Sequence, residues 1–183
     1  MNKIEITSIS PDVYFQKGFD KQGCYRSSCR DECCVYGCDV DKVAYQLIFE
    51  NRRAIETILG RELEDCFEDH WSYEEDFLGG NAIRSTVSER GYCTFHVPSG
   101  KGCALYQLVS EAGVSRRLVP SVCRLYPLTW VDGVLRLADD FEEFKGACNC
   151  NGDDASMQSL FETQRREIED IFTIPAPAPA RSR

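Results

Sequence analysis

Cysteines are the residues of this sequence whose type and spacing point most directly to chemistry. Five of them fall within the fifteen residues from Cys24 to Cys38, and Cys33 and Cys34 are adjacent. Thiolates converge in short loops when a cation neutralises the charge that would otherwise drive them apart. The segment therefore predicts a metal site, and both zinc and an iron–sulfur cluster fit the ligand type.

Two groups of cysteines supply the candidate ligands. Successive side chains of an extended chain point in opposite directions. Cys33 and Cys34 therefore suit two neighbouring metals, or two irons of one cluster, better than one tetrahedral ion. Whether Cys148 or Cys150 is the last ligand stays open. The first group is Cys24, Cys29, Cys33 and Cys34, and the second is Cys93, Cys103, Cys123 and either Cys148 or Cys150.

Other residues near these groups have simpler interpretations. A free cysteine often behaves as a small buried hydrophobe, and this interpretation is applied to Cys38 and Cys66. His96 has an acceptable spacing for a ligand, but a lone surface histidine is the favoured reading. Arg124 either directs its guanidinium at a cluster sulfur or, as is more common, satisfies a loop carbonyl. The acidic residues between positions 62 and 76 are interpreted as a solvated face.

Composition indicates the cellular compartment of the protein and the classes of partner that it lacks. Eleven cysteines are an odd count, and the N-terminus has no apolar segment typical of a secretory signal. No stretch approaches the roughly 20 apolar residues that span a bilayer. We therefore expect a soluble protein of the reducing cytoplasm, without a membrane partner. The formal net charge of −9 argues against nucleic-acid binding, which normally needs a basic face.

The elements that must position the cysteines follow from hydrophobic periodicity and turn signals. An apolar stripe predicts a long helix that starts at Asp39-Val40-Asp41 and that Gly60 ends or interrupts. Asp132-Gly133 predicts a hairpin turn, and a second amphipathic stripe predicts a C-terminal helix. We expect a small α+β domain of irregular loops around the metal. The predicted ranges are about 40–62 for the long helix, 128–137 for the hairpin, 155–172 for the last helix, 1–172 for the single domain and 173–183 for a disordered Ala/Pro-rich tail.

The order of the cysteine boxes resembles a known family. The sequence is similar to the zinc- or iron-chelating cysteine-cluster family that is named for its CxxCxxCC motif. The resemblance covers about 130 residues, although this chain has spacings of four and three residues where the short motif has two and two. The resemblance ends at Cys148 or Cys150. The matching segments before that point are Cys24 to Cys33-Cys34, Cys93-Thr94-Phe95, Cys103-Ala104-Leu105-Tyr106 and Cys123-Arg124-Leu125-Tyr126-Pro127.

The longer spacing is similar to the cysteine region of flagellin lysine-N-methylases, which are longer proteins. That resemblance implies a 4Fe–4S cluster that works with S-adenosylmethionine, and hence a methyltransferase chemistry. The leading expectation is a metal-binding protein whose reaction is unassigned. The alternatives are an iron–sulfur-dependent protein methyltransferase and an interaction module with a structural zinc staple. Either would act with a protein partner or protein substrate.

Overall fold

The structure of the chain is a computed structural model that describes residues 3–17, 31–73, 76–88, 90–98, 100, 102–144 and 158–174. These residues form both helices and strands, which fits the predicted α+β class. The strands are β1 (Ile4–Glu5), β2 (Ser8–Ile9), β3 (Asp39–Asp41), β4 (Phe67–Ser72), β5 (Ala82–Ser85), β6 (Leu128–Val131), β7 (Val134–Leu137) and β8 (Phe172–Thr173). The α-helices are α1 (Asp12–Phe15), α2 (Lys42–Glu50), α3 (Arg52–Leu59), α4 (Ala104–Ala112), α5 (Ser121–Leu125), α6 (Phe141–Phe144), α7 (Leu160–Thr163) and α8 (Arg165–Ile171), and the 3₁₀ helices are Glu32–Cys34, Leu63–Cys66 and Arg116–Leu118.

The strands of the described residues form three small sheets. β1 pairs with β8 in parallel, although one lies near the start of the described chain and the other at its end. β2 lies parallel to β7, which is antiparallel to β6. β5 lies between β3 and β4 and is antiparallel to both. This third sheet matters most for the site, because β3 follows the first cysteine group directly and β5 precedes the second.

Two hydrophobic clusters hold these elements together. One contains Ile48, Ile55 and Phe95, with Cys123 packed against it. The other contains Leu125 and the buried faces of β1, β6, β7 and α8. Each fully buried Leu, Ile or Phe side chain contributes about 1.5–3 kcal/mol. Cys123 of α5 packs against the first cluster, and Leu125 of the same helix lies in the second. Helix α5 therefore fixes a cysteine where the two clusters meet.

The predicted helix over about 40–62 is two helices, and the prediction of one long helix is wrong. Asn51 interrupts it with φ −104° and ψ 15°, and its Nδ2 donates to the carbonyl oxygen of Leu47 at 2.8 Å. Asn competes with the helix in this way because its amide bonds the neighbouring backbone. The predicted start and end of this helical segment are confirmed. The Oδ1 of Asp41 accepts from the N–H of Ala44 at 3.0 Å, and Gly60 ends α3 with φ 68°.

The predicted hairpin is confirmed, and the predicted C-terminal helix is corrected. β6 and β7 pair in register around Asp132 and Gly133, both of which have positive φ as a type I′ turn requires. In place of one helix over 155–172, α7 and α8 meet at Gln164, which has φ −96° and ψ 3°. Phe172 and Thr173 then leave the helix to form β8. The predicted disordered tail over 173–183 therefore begins too early, because Thr173 of β8 pairs with Glu5. Residues 145–157 and 175–183 lie outside the described residues.

No helix in the described part of the chain has both the length and the apolar character needed to cross a membrane.

Candidate metal centre

One cavity of about 300 Å³ collects cysteines from both sequence groups. Its wall also contains aromatic side chains, among them Tyr36, Tyr106 and Tyr126. Segments that are far apart in sequence therefore contribute sulfur to a single site. Four predicted ligands, Cys24, Cys29, Cys148 and Cys150, lie outside the described residues. The cysteines that line the cavity are Cys33, Cys34, Cys38, Cys93, Cys103 and Cys123.

A left-handed residue introduces the first cysteine pair. Asp31 has φ 61° and ψ 21°, and its carbonyl oxygen accepts from the N–H of Cys34 at 2.9 Å. Asp is one of the few residues that tolerate this conformation. The turn starts the short 3₁₀ helix that holds Cys33 and Cys34 at the cavity.

A backbone hydrogen bond joins the two cysteine groups. The N–H of Cys93 donates to the carbonyl oxygen of Cys34 at 2.7 Å. A second backbone contact joins the segment after Cys93 to Cys103, because His96 pairs with Cys103 in an isolated antiparallel bridge. These contacts fix three cysteine-bearing segments relative to one another through main-chain atoms, so the arrangement does not depend on side-chain rotamers alone.

Cys38, interpreted from the sequence as a plain core residue, lines the cavity beside two candidate ligands. The neighbouring thiol of Cys123 is the main cause of a raised pKa at Cys38, and the Cys93 thiol also acts on that pKa, so the three thiols are neighbours. Its carbonyl oxygen accepts from the N–H of Ser85 at 2.9 Å, so β5 places it opposite the second group. The spacing of four residues after Cys34 was the only signal in the sequence that could have identified it.

The thiols of Cys93 and Cys103 hold their protons when no cation is near. The neighbouring Cys38 thiol, followed by burial, raises the pKa of the Cys93 thiol. Burial, followed by the charges of Cys93 and Cys34, raises the pKa of Cys103, which lies at the N-cap position of α4. A positive ion reverses this preference, because metal coordination deprotonates a thiol outright. The donor set therefore suits a metal group better than an isolated thiolate.

The spacing of the sulfurs bears on the type of metal group. Four sulfurs bonded to one zinc at about 2.3 Å lie roughly 3.8 Å apart. Among the described residues, the one group of three His, Cys, Asp or Glu ligand atoms within 4.8 Å of one another is Glu56, Glu62 and Glu64. No three sulfurs of the described cysteines therefore lie as close together as three ligands of one tetrahedral zinc ion would.

That acidic group is a surface feature away from the cysteine cavity. Arg52 forms ion pairs with Glu56 and Glu64, and Glu62 and Glu64 are exposed. A carboxylate of Glu56 also accepts from the backbone N–H of Leu63 at 3.1 Å. This agrees with the interpretation of the acidic segment as a solvated face.

His96 is a buried residue, so its interpretation as a lone surface histidine is wrong. It is only 6% exposed, its ring stacks on Tyr92 at 4.4 Å, and its Nε2 lies 3.1 Å from Oδ2 of Asp31. The Nη2 of Arg90 lies 3.4 Å from Nδ1. Because arginine can only donate, Nδ1 accepts and the Nε2–H donates to Asp31. Both ring nitrogens are occupied, so His96 acts here as a support and not as a ligand.

The carboxylate of Asp31 links that support to the next cysteine. The backbone N–H of Gly102 donates to the same Oδ2 at 3.1 Å, and Gly102 precedes Cys103. We call Asp31, His96 and Gly102 the carboxylate clamp. It connects the Cys33–Cys34 turn to the segments that carry Cys93 and Cys103.

Arg124 turns away from the sulfurs. Its Nη1 donates to Glu167 at 2.5 Å and to Asp170 at 2.9 Å, and its Nε donates to the carbonyl oxygen of Val119 at 3.1 Å. Of the two interpretations of Arg124, the loop carbonyl is the one observed. The buried ion pairs anchor α5, and with it Cys123, to α8.

Cys66 belongs to the core, as predicted. It is fully buried in the first hydrophobic cluster and does not line the cavity. Burial raises the pKa of its thiol to about 11. Cys66 is therefore a natural internal control for the cavity cysteines.

No family model matches this sequence, and no curated protein or solved structure is similar to it at a significant level. The functional conclusion must therefore come from the residues and geometry of the cavity.

Proposed function

We propose that this chain is a cytoplasmic metal-binding protein of the cysteine-cluster type, and that its cavity holds an iron–sulfur cluster. One observation carries the proposal: six cysteines from four separate segments line one cavity of about 300 Å³. Cysteine sulfur is the usual protein ligand of such clusters. Cys24, Cys29, Cys148 and Cys150 remain candidates for additional ligands.

The electrostatics of the cavity support a bound cation. Cys38, Cys93, Cys103 and Cys123 all have raised pKa values, in part because burial and neighbouring thiols oppose ionisation. Several thiolates become stable together only when positive charge is added among them. A reducing compartment would keep these thiols available, which is the reason for the cytoplasmic assignment.

The spacing of the sulfurs favours a cluster over a single zinc ion. In a 4Fe–4S cluster, each cysteine binds a different iron, so its ligands need not come as close together as those of one tetrahedral ion. The described cysteines have this wider arrangement. The competing form of the same proposal is a zinc site that holds one or two zinc ions per chain.

Anaerobic reconstitution tests the proposal and separates its two forms. Metal-free protein is incubated with ferrous iron and sulfide, or separately with zinc, and bound metal is counted after desalting. We expect iron and sulfide in near-equal amounts with a broad visible absorption band. Cys93→Ser and Cys103→Ser should lose this uptake, whereas Cys66→Ser should keep it. Uptake that is equal in all three variants would contradict the assignment of the cavity as the site.

An enzyme is the second candidate. The residues that line the cavity favour an enzyme over an interaction module with a purely structural zinc site. A structural metal site is closed by its ligands, whereas this cavity has a wall of tyrosines beside the thiols. Under this hypothesis the cluster works with S-adenosylmethionine on a protein substrate. We expect S-adenosylmethionine to raise the melting temperature of the metal-loaded protein or alter its spectrum. No change in either would contradict the enzyme and favour an interaction module that binds a protein partner.

A further inference from the structure

Ser85 lies between two of the cavity sulfurs. Its Oγ donates to Sγ of Cys38 at 3.5 Å and lies 3.3 Å from Sγ of Cys93. The residue is 1% exposed, so water does not compete for its hydroxyl group. Ser85 thus touches one sulfur from each side of the site: Cys38 precedes β3, and Cys93 follows β5.

Backbone contacts orient this hydroxyl group towards the sulfurs. The N–H of Cys38 donates to Oγ of Ser85 at 2.7 Å, and the N–H of Ser85 donates to the carbonyl oxygen of Cys38 at 2.9 Å. The first bond occupies an acceptor site of Oγ. The hydroxyl proton is then free to face the two sulfurs.

Close packing of the chain makes this contact possible. Gly37 has φ +70°, and a Cβ at that position would lie 2.6 Å from the carbonyl oxygen of Ser85. Only glycine allows the backbone to approach so closely in this conformation. Gly37 therefore allows the backbone to place Cys38 against Ser85.

We propose that Ser85 is a positioning residue that holds Cys38 at the metal and tunes the site by donating a hydrogen bond to its thiolate sulfurs. This inference rests on the proposed function. A metal-bound thiolate has no proton and can only accept, so the Ser85 hydroxyl becomes the donor to Cys38 or Cys93. Hydrogen bonds to sulfur withdraw electron density from the ligand and raise the reduction potential of a cluster.

A matched pair of substitutions isolates the hydroxyl group. Ser85→Thr keeps the donor, and Ser85→Val replaces it with a methyl group of nearly the same shape. Both side chains suit a strand. The pair therefore differs hardly at all in packing, but in both roles of the hydroxyl group: the hydrogen bond donated to sulfur and the one accepted from the N–H of Cys38. Ser85→Ala serves as a smaller third variant.

Each protein is reconstituted with iron and sulfide, and its reduction potential is measured by a spectroscopic titration. A parallel set is loaded with cobalt(II), whose thiolate charge-transfer band reports electron density at sulfur. We expect the Val variant to have a lower potential and a charge-transfer band at lower energy than the Thr variant. Ser85→Ala should shift in the same direction as Ser85→Val.

The outcomes separate this inference from the proposed function. Wild-type protein that takes up neither iron with sulfide nor cobalt would overturn the proposed metal site. Wild-type protein that loads, together with Thr and Val variants whose potentials and spectra are the same, would overturn the role of Ser85 alone. If Ser85→Val folds but does not load while Ser85→Thr does, the holding role is supported.

Discussion

The backbone N–H of Cys93 lies 2.7 Å from the carbonyl oxygen of Cys34 and donates a hydrogen bond to it. This bond connects two cysteine groups that are far apart in the sequence. Because it uses main-chain atoms, it is independent of metal coordination. The two groups therefore line one cavity.

Cys38 should be needed for metal binding. Cys38→Ala removes a cavity thiol that neighbours the thiols of Cys123 and Cys93. We expect bound metal per chain to fall clearly below the wild-type value after anaerobic reconstitution. Cys66→Ala is the matched control, because it removes a buried thiol outside the cavity. That control should lose about 1 kcal/mol of stability and keep its metal. Full metal content in Cys38→Ala would exclude Cys38 from the site.

The carboxylate clamp should control how tightly the metal is held. Asp31→Ala removes the acceptor of the His96 and Gly102 hydrogen bonds and a residue that tolerates φ 61°. Loss of such supporting contacts typically costs 10- to 100-fold in metal affinity. We expect faster transfer of metal to a chelator, well below the melting temperature. Asp31→Asn keeps an acceptor oxygen and the backbone preference, so its effect should be smaller.

Ser159→Ala is the control for a purely structural effect on the clamp variants. It disrupts the capping box of α7 and should cost about 1 kcal/mol of stability. Its metal transfer should match that of the wild type. If Asp31→Ala transferred metal no faster than Ser159→Ala, the clamp would have no role in the site.

Gly37 should tolerate substitution much less well than Gly60. Both glycines have φ near +70°, so alanine costs roughly 1–2 kcal/mol of backbone strain at either position. At Gly37 the added Cβ also meets the carbonyl oxygen of Ser85, whereas at Gly60 it meets nothing within 4 Å. Urea unfolding of the metal-free proteins should give a lower midpoint for Gly37→Ala than for Gly60→Ala. Equal midpoints would show that the close approach does not constrain the fold.

Cys66 should make the metal-free protein sensitive to alkaline pH. Burial raises the pKa of its thiol from 9.0 to about 11. Below pH 9 the thiol is protonated in both the folded and unfolded states, so its contribution is fully present. Between these values the unfolded chain loses the proton first, so the free energy of unfolding falls as pH rises, by about 3 kcal/mol in total.

The measurement is the difference in the free energy of unfolding between wild type and Cys66→Ala, followed from pH 8 to 11. Wild type should start about 1 kcal/mol more stable, and this difference should fall and change sign as the pH rises towards 11, because alanine has no proton to lose. A constant difference across this range would contradict a raised pKa at Cys66.

Local signals in the sequence predicted the parts of the fold that short-range physics decides. Asp41 caps a helix, Gly60 ends one, and Asp132-Gly133 makes a hairpin turn, because each effect depends on a few neighbouring atoms. The break at Asn51 was missed because the apolar stripe continues across it. A side chain that bonds its own backbone outweighed that periodicity.

The site was predictable in its chemistry but not in its geometry. Clustered cysteines pointed to sulfur ligands, and the cavity collects six of them. The positions of Cys38 and His96 depend on partners distant in sequence, namely Ser85 and Asp31. No spacing rule encodes such contacts, because they arise only when β5 and the Cys33–Cys34 turn pack together.

The most direct test of the central claim is the metal and acid-labile sulfide content of the full chain purified without oxygen. The proposal predicts iron and sulfide in near-equal amounts, with a broad absorption band near the blue edge of the visible spectrum. Zinc at one or two ions per chain without colour would keep the metal site but contradict the cluster. Protein that contains no metal, and takes none up on reconstitution, would contradict the proposed function.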